Sequence, residues 1–120
     1  MSGSKEQQKA EKLVKKQRWG KIGKMLEKGD AETRLAVASE LGNASDENAL
    51  NYLISLLKDP DERVQVQAVK SLGTRGEERA KAFLQNMIST LPSEKVELHD
   101  TIRDSISKIN VAEEANKDKV

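Results

Sequence analysis

The stretch DERVQVQAVKSLG at residues 61–73 repeats the outline of DAETRLAVASELG at residues 30–42. Each copy begins with an acidic residue, continues through small and β-branched apolar residues, and ends in Leu-Gly. Apolar positions also match in the segments that follow, residues 49–57 and 80–88. Repetition at this period is typical of solenoids, in which each unit buries its apolar face only against its neighbours. The sequence therefore predicts a stack of similar units.

Each unit is predicted to be a pair of antiparallel helices, because apolar residues recur at helical spacing and short polar links interrupt them. We expect Asp59 to cap a helix that has Pro60 at its first position and that ends at Gly73. We expect Ser93 to cap the last helix, and Phe83 to pack inside. The resulting fold class is all-α, with about three hairpins and a polar N-terminal helix.

Composition limits the kinds of protein that this chain can be. The 120 residues include no cysteine, one histidine and one each of Trp, Tyr and Phe. Disulfides and thiolate chemistry are therefore excluded, and too few aromatic rings are present to stack against single-stranded nucleic acid. No apolar run approaches the ~18 residues that span a bilayer, and the N-terminal segment lacks an apolar signal core. We expect a cytoplasmic protein with an aliphatic core.

The predicted boundaries divide the chain into three parts. Residues 1–17 form a basic, polar segment with a capping helix, and residues 18–110 form the repeat domain. Its units are expected at about residues 18–43, 44–74 and 75–110. Residues 111–120 are expected to be a polar, disordered tail.

The stretch DPDERVQVQAVKSLG at residues 59–73 resembles the second-helix signature of HEAT-like repeats, roughly Asp-Pro-Asp-Pro-x-Val-Arg-x-x-Ala-Ala-x-x-Leu-Gly. The matching positions are Asp59, Pro60, Asp61, Val64, Ala68, Leu72 and Gly73. Gln65 replaces the arginine of the signature in this unit, whereas Arg34 matches it in the preceding unit. The resemblance implies a right-handed α-solenoid over about residues 19–110, with a partial Asp–Arg ladder between units. It also implies a scaffold that binds other proteins.

In HEAT-like folds the second helix of each hairpin lines the concave side, so the resemblance places a partner surface there. We expect an acidic protein or peptide to bind its basic end. The positions predicted to contact this partner are Arg63, Gln67, Lys70, Lys95, His99 and Arg103. The chain is interpreted as a non-enzymatic binding module that is a monomer or a weak dimer.

A lysine stripe follows the first helix, where Lys5, Lys9, Lys12 and Lys16 recur at helical spacing. Residues 1–28 carry nine basic and three acidic residues, and residues 29–120 carry 12 basic and 17 acidic residues. The stripe is interpreted as a solvated face, a contact for an acidic protein, a contact for nucleic acid or an anionic membrane, or a partner for the chain's own acidic residues.

Signals for catalysis or cofactor binding are weak. His99 stands next to Asp100, but neighbouring residues on a helix do not share a face and form a poor catalytic dyad. No second histidine is present to build a zinc site, and no glycine-rich phosphate loop occurs. We predict no enzymatic activity, no cofactor and no metal site.

Overall fold

The computed structural model describes residues 4–117, and within that range it contains helices and no strand. The α-helices are α1 (Lys5–Lys15), α2 (Trp19–Lys28), α3 (Ala31–Leu41), α4 (Glu47–Leu56), α5 (Glu62–Arg75), α6 (Lys81–Thr90) and α7 (Val96–Lys117). One turn of 3₁₀ helix, Glu78–Ala80, precedes α6. Despite Gly20 and Gly23, α2 is continuous. The all-α prediction is confirmed.

The helices form two rows. In the long row α1 packs against α3, α3 against α5, and α5 against α7. In the short row are α2, α4 and α6; α4 lies against α3 and α5, and α2 against α1, α3 and α4. The hairpins α2–α3, α4–α5 and α6–α7 are therefore stacked side by side. The segment before the first hairpin, α1, continues the long row. This arrangement is the predicted solenoid.

The core between the rows is aliphatic. Leu41 and Leu72, the leucines of the two Leu-Gly pairs, are fully buried together with Leu53 and Ile102. The first helix joins this core through Ala10 and Val14. Since repeat-equivalent leucines occupy equivalent core positions, the burial pattern explains why the two sequence copies look alike.

The glycines of the Leu-Gly pairs allow neighbouring long-row helices to approach closely. A Cβ at Gly42 would lie 2.9 Å from Ser71 Oγ, and one at Gly73 would lie 2.6 Å from Ser105 Oγ. Each serine hydroxyl also donates a hydrogen bond to a backbone carbonyl of the preceding long-row helix, over 2.7 Å for Ser71 and 2.9 Å for Ser105. A side chain at either glycine would push these helices apart. The same serine–glycine joint thus occurs twice.

A second link between units surrounds the start of the third hairpin. Glu77 accepts hydrogen bonds from Arg75 and Arg79, and Arg79 also pairs with Glu47 at the start of α4. Partial burial raises the pKa of Glu77, but the hydrogen bonds from Arg79 and Arg75 outweigh this effect, and the pKa lies below its ordinary value of 4.5. Glu77 is therefore held in its ionised form.

The cap of α5 differs from the prediction. Asp61 is the N-cap, because its carboxylate accepts the hydrogen bond from the Arg63 amide over 2.8 Å, and the helix begins at Glu62. Asp59 is buried and accepts a hydrogen bond from the Asp61 amide. The prediction that Asp59 caps the helix, with Pro60 at its first position, was wrong.

The helix ends also differ. α5 runs past Gly73 to Arg75 and ends at Gly76, which adopts a left-handed φ of 64°. Ser93 lies in a turn before α7 and does not begin it. The disordered tail predicted from residue 111 is replaced by helix through Lys117, while residues 118–120 lie outside the described range.

The packing of α6 differs from the prediction at Phe83, which was expected to pack inside. Its side chain is 50% exposed, whereas the neighbouring Leu84 is fully buried. Tyr52, at the equivalent position of the preceding unit, donates a hydrogen bond to the Trp19 carbonyl over 2.8 Å. Trp19 itself is partly buried against the core. Phe83 therefore belongs to the outer surface.

Candidate partner-binding surfaces

The Asp and Arg positions that match the repeat signature form a link between the first two hairpins. Arg34 donates to Asp59 twice, from Nε over 2.7 Å and from Nη2 over 3.2 Å. The hydrogen bond to Asp59 raises the pKa of Arg34 above its ordinary value. Gln65 instead donates to the Leu57 carbonyl. The ladder is therefore partial, as the resemblance implied, and these residues have structural roles.

Two of the predicted partner-binding residues join neighbouring helices of the long row. Arg63 on α5 pairs with Glu32 on α3 over 2.6 Å, and Lys95, just before α7, pairs with Glu62 on α5 over 2.8 Å. The hydrogen bonds that Arg63 donates to Asp61, and then to Glu32, raise the pKa of Arg63, and the hydrogen bond from Lys95 to Glu62 raises the pKa of Lys95. Both cations already have intramolecular counterions.

The other four predicted partner-binding residues have different contacts. Gln67 donates to Ser71 Oγ, and Arg103 pairs with Asp100 on its own helix. His99 Nε2 lies 3.3 Å from the Leu91 carbonyl oxygen and 3.1 Å from that of Pro92, so the ring supports the α6–α7 link. Lys70 is exposed and forms no ion pair within residues 4–117. We call the six residues together the long-row face.

The predicted lysine stripe on α1 is exposed. Lys5, Lys9, Lys12 and Lys16 all face solvent, and none of them forms an ion pair in the part of the chain that the structure describes. The interpretation that this stripe pairs with the chain's own acidic residues is therefore not realised there. Lys15, outside the stripe, pairs with Glu11 over 3.6 Å.

An open groove lies between α1 and α2. Its volume is about 560 Å³, and Leu13 and Met25 supply its apolar floor. Four lysines also line it: Lys9, Lys21, Lys24 and Lys28. All four are exposed and, among the described residues, lack ion-pair partners. We call these six residues the lysine groove.

The lysine groove was not predicted from the sequence, because the lysines of α2 entered the prediction only as part of a net charge. The available signal was their spacing. Lys21, Met25 and Lys28 stand at i, i+4 and i+7, which places them along one helical face. A methionine between lysines on one face indicates an apolar contact surrounded by positive charge.

A second groove lies between α4 and α6. It has a volume of about 600 Å³ and includes the apolar side chains of Ile54, Leu57, Phe83 and Met87. Lys58 is the charged residue of its lining. This groove contains the exposed ring of Phe83 but has no cluster of charges that specifies a partner.

The geometry of the described range provides no cluster of three or more His, Asp or Glu side chains that could hold a metal ion. None of the helices there combines the length and hydropathy needed to cross a bilayer.

Comparison with known proteins agrees with the fold. A family model for HEAT repeats matches residues 21–98, which is more than half of the chain. The chain belongs to the HEAT repeat family, whose members generally mediate protein–protein interactions. No curated protein and no solved structure matches the chain significantly.

Proposed function

We propose that this chain is a non-enzymatic interaction module that holds an acidic protein or peptide on the long-row face. Four adjacent helices give this row a continuous surface, and its curvature would follow that of other HEAT-type solenoids. The observation that supports the proposal most is the contrast between fixed and free cations. Arg63 and Lys95 are held by ion pairs, whereas Lys70 is exposed and has no counterion among the described residues.

Binding normally costs free energy because side chains at the interface lose rotamer freedom, and cations that are already held by ion pairs lower this cost. A partner that contacts Arg63 or Lys95 meets side chains whose positions are already restricted, so less rotamer freedom is lost. Lys70 offers a positive charge for an acidic group of the partner, and such charges mainly guide encounter and orientation. The mechanism is equilibrium binding, without a cofactor. A chain without cysteine needs no oxidising compartment to fold, and we include a cytoplasmic location and a monomeric or weakly dimeric state in the proposal.

Site-specific photo-crosslinking tests the location of the partner. A photoreactive amino acid is introduced at Lys70, and separately at Gln85 as a matched exposed position on the short row. We expect a defined adduct from position 70 and none from position 85, and we expect Arg103→Glu to reduce that adduct. Adducts only from position 85, or equal adducts from both positions, would refute the long-row face as the site.

A second candidate function is the binding of nucleic acid or an acidic surface by the lysine stripe of α1. It is supported by the four exposed lysines, which have no counterions in the part of the chain that the structure describes. Counterion release makes such binding weaken steeply with salt. A duplex oligonucleotide titrated at low and high salt tests it, and an affinity independent of salt would contradict phosphate contacts.

A further inference from the structure

We propose that the lysine groove binds an acidic, amphipathic helix of a protein partner. The groove lies between α1 and α2 and shares no residue with the long-row face, so this inference goes beyond the proposed function. It rests on three features of the structure: an apolar floor, four cations without counterions among residues 4–117, and the position of the groove in the helix rows.

The floor requires an apolar contact. Leu13 and Met25 are packed against the edge of the core but remain partly exposed. An occupant that buries them removes apolar surface from water, which favours association in proportion to the area covered. Methionine adapts its shape to different partners and is common at surfaces of this type.

The lysines specify the charge of the occupant. Lys9 on α1 and Lys21, Lys24 and Lys28 on α2 surround the floor, and the described chain supplies no carboxylate to any of them. Carboxylates placed on both sides of an apolar strip would pair with these lysines while the strip covers Leu13 and Met25. Phosphates could satisfy the charges alone, but a nucleic acid backbone presents no apolar strip. The combination therefore favours an acidic amphipathic segment over nucleic acid.

The helix rows indicate that the segment is helical. The short-row helix α2 packs against α3, the long-row helix that follows it, and against α4, its neighbour in the short row. A helix at the corresponding short-row position, before α1, would contact α1 and α2, which are the two walls of the groove. No helix within residues 4–117 occupies that position. A partner helix there would extend the short row by one member.

The spacing of the lysines sets the spacing of the partner's acids. Lys21 and Lys28 are seven residues apart, about 10 Å along the axis of α2. Acidic residues two turns apart on the partner helix, with one between them, would match this distance. Apolar residues at i, i+4 and i+7 would face the floor.

The test uses the full chain and a fluorescein-labelled synthetic peptide of about 18 residues, long enough to form a helix. Leucines form one face of this peptide and glutamates flank them. A shuffled peptide has the same composition but no apolar face. We expect saturable binding of the amphipathic peptide, measured by fluorescence anisotropy, and at least about tenfold weaker binding of the shuffled peptide. Equal binding of the two, or no binding up to about 1 mM, would overturn the proposal.

Variants locate the site. Lys24→Glu is expected to weaken binding at least about fivefold, whereas Lys58→Glu, the same charge change at an exposed lysine elsewhere, should stay within about twofold. Met25→Gln is expected to weaken binding at least about threefold through loss of apolar contact. Circular dichroism confirms that each variant remains folded, and Lys24→Glu tests the groove even if Met25→Gln unfolds. Equal weakening by Lys24→Glu and Lys58→Glu would reduce the interaction to unspecific attraction and overturn the proposal.

Two further outcomes separate this inference from the other candidates. If Lys70→Glu weakens the peptide and Lys24→Glu does not, the peptide binds the long-row face, which would support the proposed function and refute the groove. If a duplex oligonucleotide of about 18 base pairs displaces the peptide at about 150 mM salt and Met25→Gln has no effect, the groove is a phosphate contact and the proposed occupant is wrong.

Discussion

Removal of the Asp59 carboxylate is expected to destabilise the fold far more than removal of a surface carboxylate. The Asp59 side chain is only 4% exposed, and it accepts two hydrogen bonds from Arg34 and one from the Asp61 amide. Asp59→Ala would leave the guanidinium of Arg34, whose side chain is 19% exposed, without its counterion and the Asp61 amide without its acceptor. The guanidinium would keep its hydrogen bond to the Gly29 carbonyl but would have no carboxylate partner at the position of Asp59.

The size of the expected loss of stability follows from the burial of the Arg34–Asp59 ion pair. Breaking a fully buried ion pair by truncating one partner costs about 3–5 kcal/mol. Water still reaches part of Arg34, so we expect the lower end, about 3 kcal/mol, for Asp59→Ala, with the unpaired amide included. For a domain of this size that corresponds to a Tm about 10 °C lower. The coupling energy between Arg34 and Asp59 should be about 2 kcal/mol.

The assay is a double-mutant cycle of Asp59→Ala and Arg34→Ala, with unfolding by urea followed by circular dichroism. The pair Asp100 and Arg103 serves as the matched control, because its side chains are 69% and 64% exposed. We expect at most about 0.5 kcal/mol of coupling for this control pair. Coupling between Arg34 and Asp59 as small as that of the control would refute the argument that burial determines the strength of the link.

Three further predictions concern packing and pH. Gly73→Ala should lower the free energy of unfolding by about 1–3 kcal/mol, because its Cβ would lie 2.6 Å from a facing hydroxyl oxygen. Gly20→Ala should raise it by about 0.5–1 kcal/mol in thermal unfolding, because among the described residues outside its own helical backbone nothing lies within 4 Å of a Cβ there. Leu84→Ala should cost about 2–4 kcal/mol and Phe83→Ala less than about 1.5 kcal/mol in urea unfolding, since only the former is buried. Because the pKa of Glu77 is lowered in the folded state, its carboxylate should stabilise the fold fully above pH 4.5, and this contribution should be lost as the pH falls through the folded-state pKa. Glu77→Gln should therefore reduce the loss of stability between about pH 7 and about pH 3, measured by urea unfolding.

A specific experimental result would contradict each of these three predictions. Tolerance of Gly73→Ala without loss of stability would contradict the close approach of α5 and α7. Equal costs for the changes at Phe83 and Leu84 would contradict the orientation of α6. An acid profile unchanged by Glu77→Gln would assign the acid sensitivity to other carboxylates.

The helices could be predicted from the sequence because their determinants are local. Periodic leucines predict a buried face, and Asp30 and Asp46, residues of a type that favours the N-cap position, cap α3 and α4. The start of α5 was ambiguous, since Asp59 and Asp61 both flank Pro60. A residue 25 positions away decides between them, because Arg34 binds Asp59 and leaves Asp61 as the cap. Sequence spacing alone carries no information about that distant contact.

The spacing of Lys21, Met25 and Lys28 indicates the α2 wall of the lysine groove, but the groove as a whole was not predictable, for a related reason. Its shape depends on the angle between α1 and α2, which are joined by three residues. Gln17 in this link adopts a φ of 55°, in the left-handed region that residues other than glycine seldom occupy. Nothing in the local sequence signals that conformation. The lysines were visible in the sequence, but their arrangement around Leu13 and Met25 required the structure.

The middle hairpin carries both halves of the joint between long-row helices. Ser71 fits against Gly42 before it, and Gly73, two positions later, receives Ser105 after it. The surface of this hairpin that faces the preceding unit is therefore complementary to its own surface that faces the following unit. A duplicate inserted in tandem would meet a glycine on one side and a serine on the other, as the original does. The protein could thus gain length in whole hairpins, through gene duplication or by design, while both ends stay unchanged.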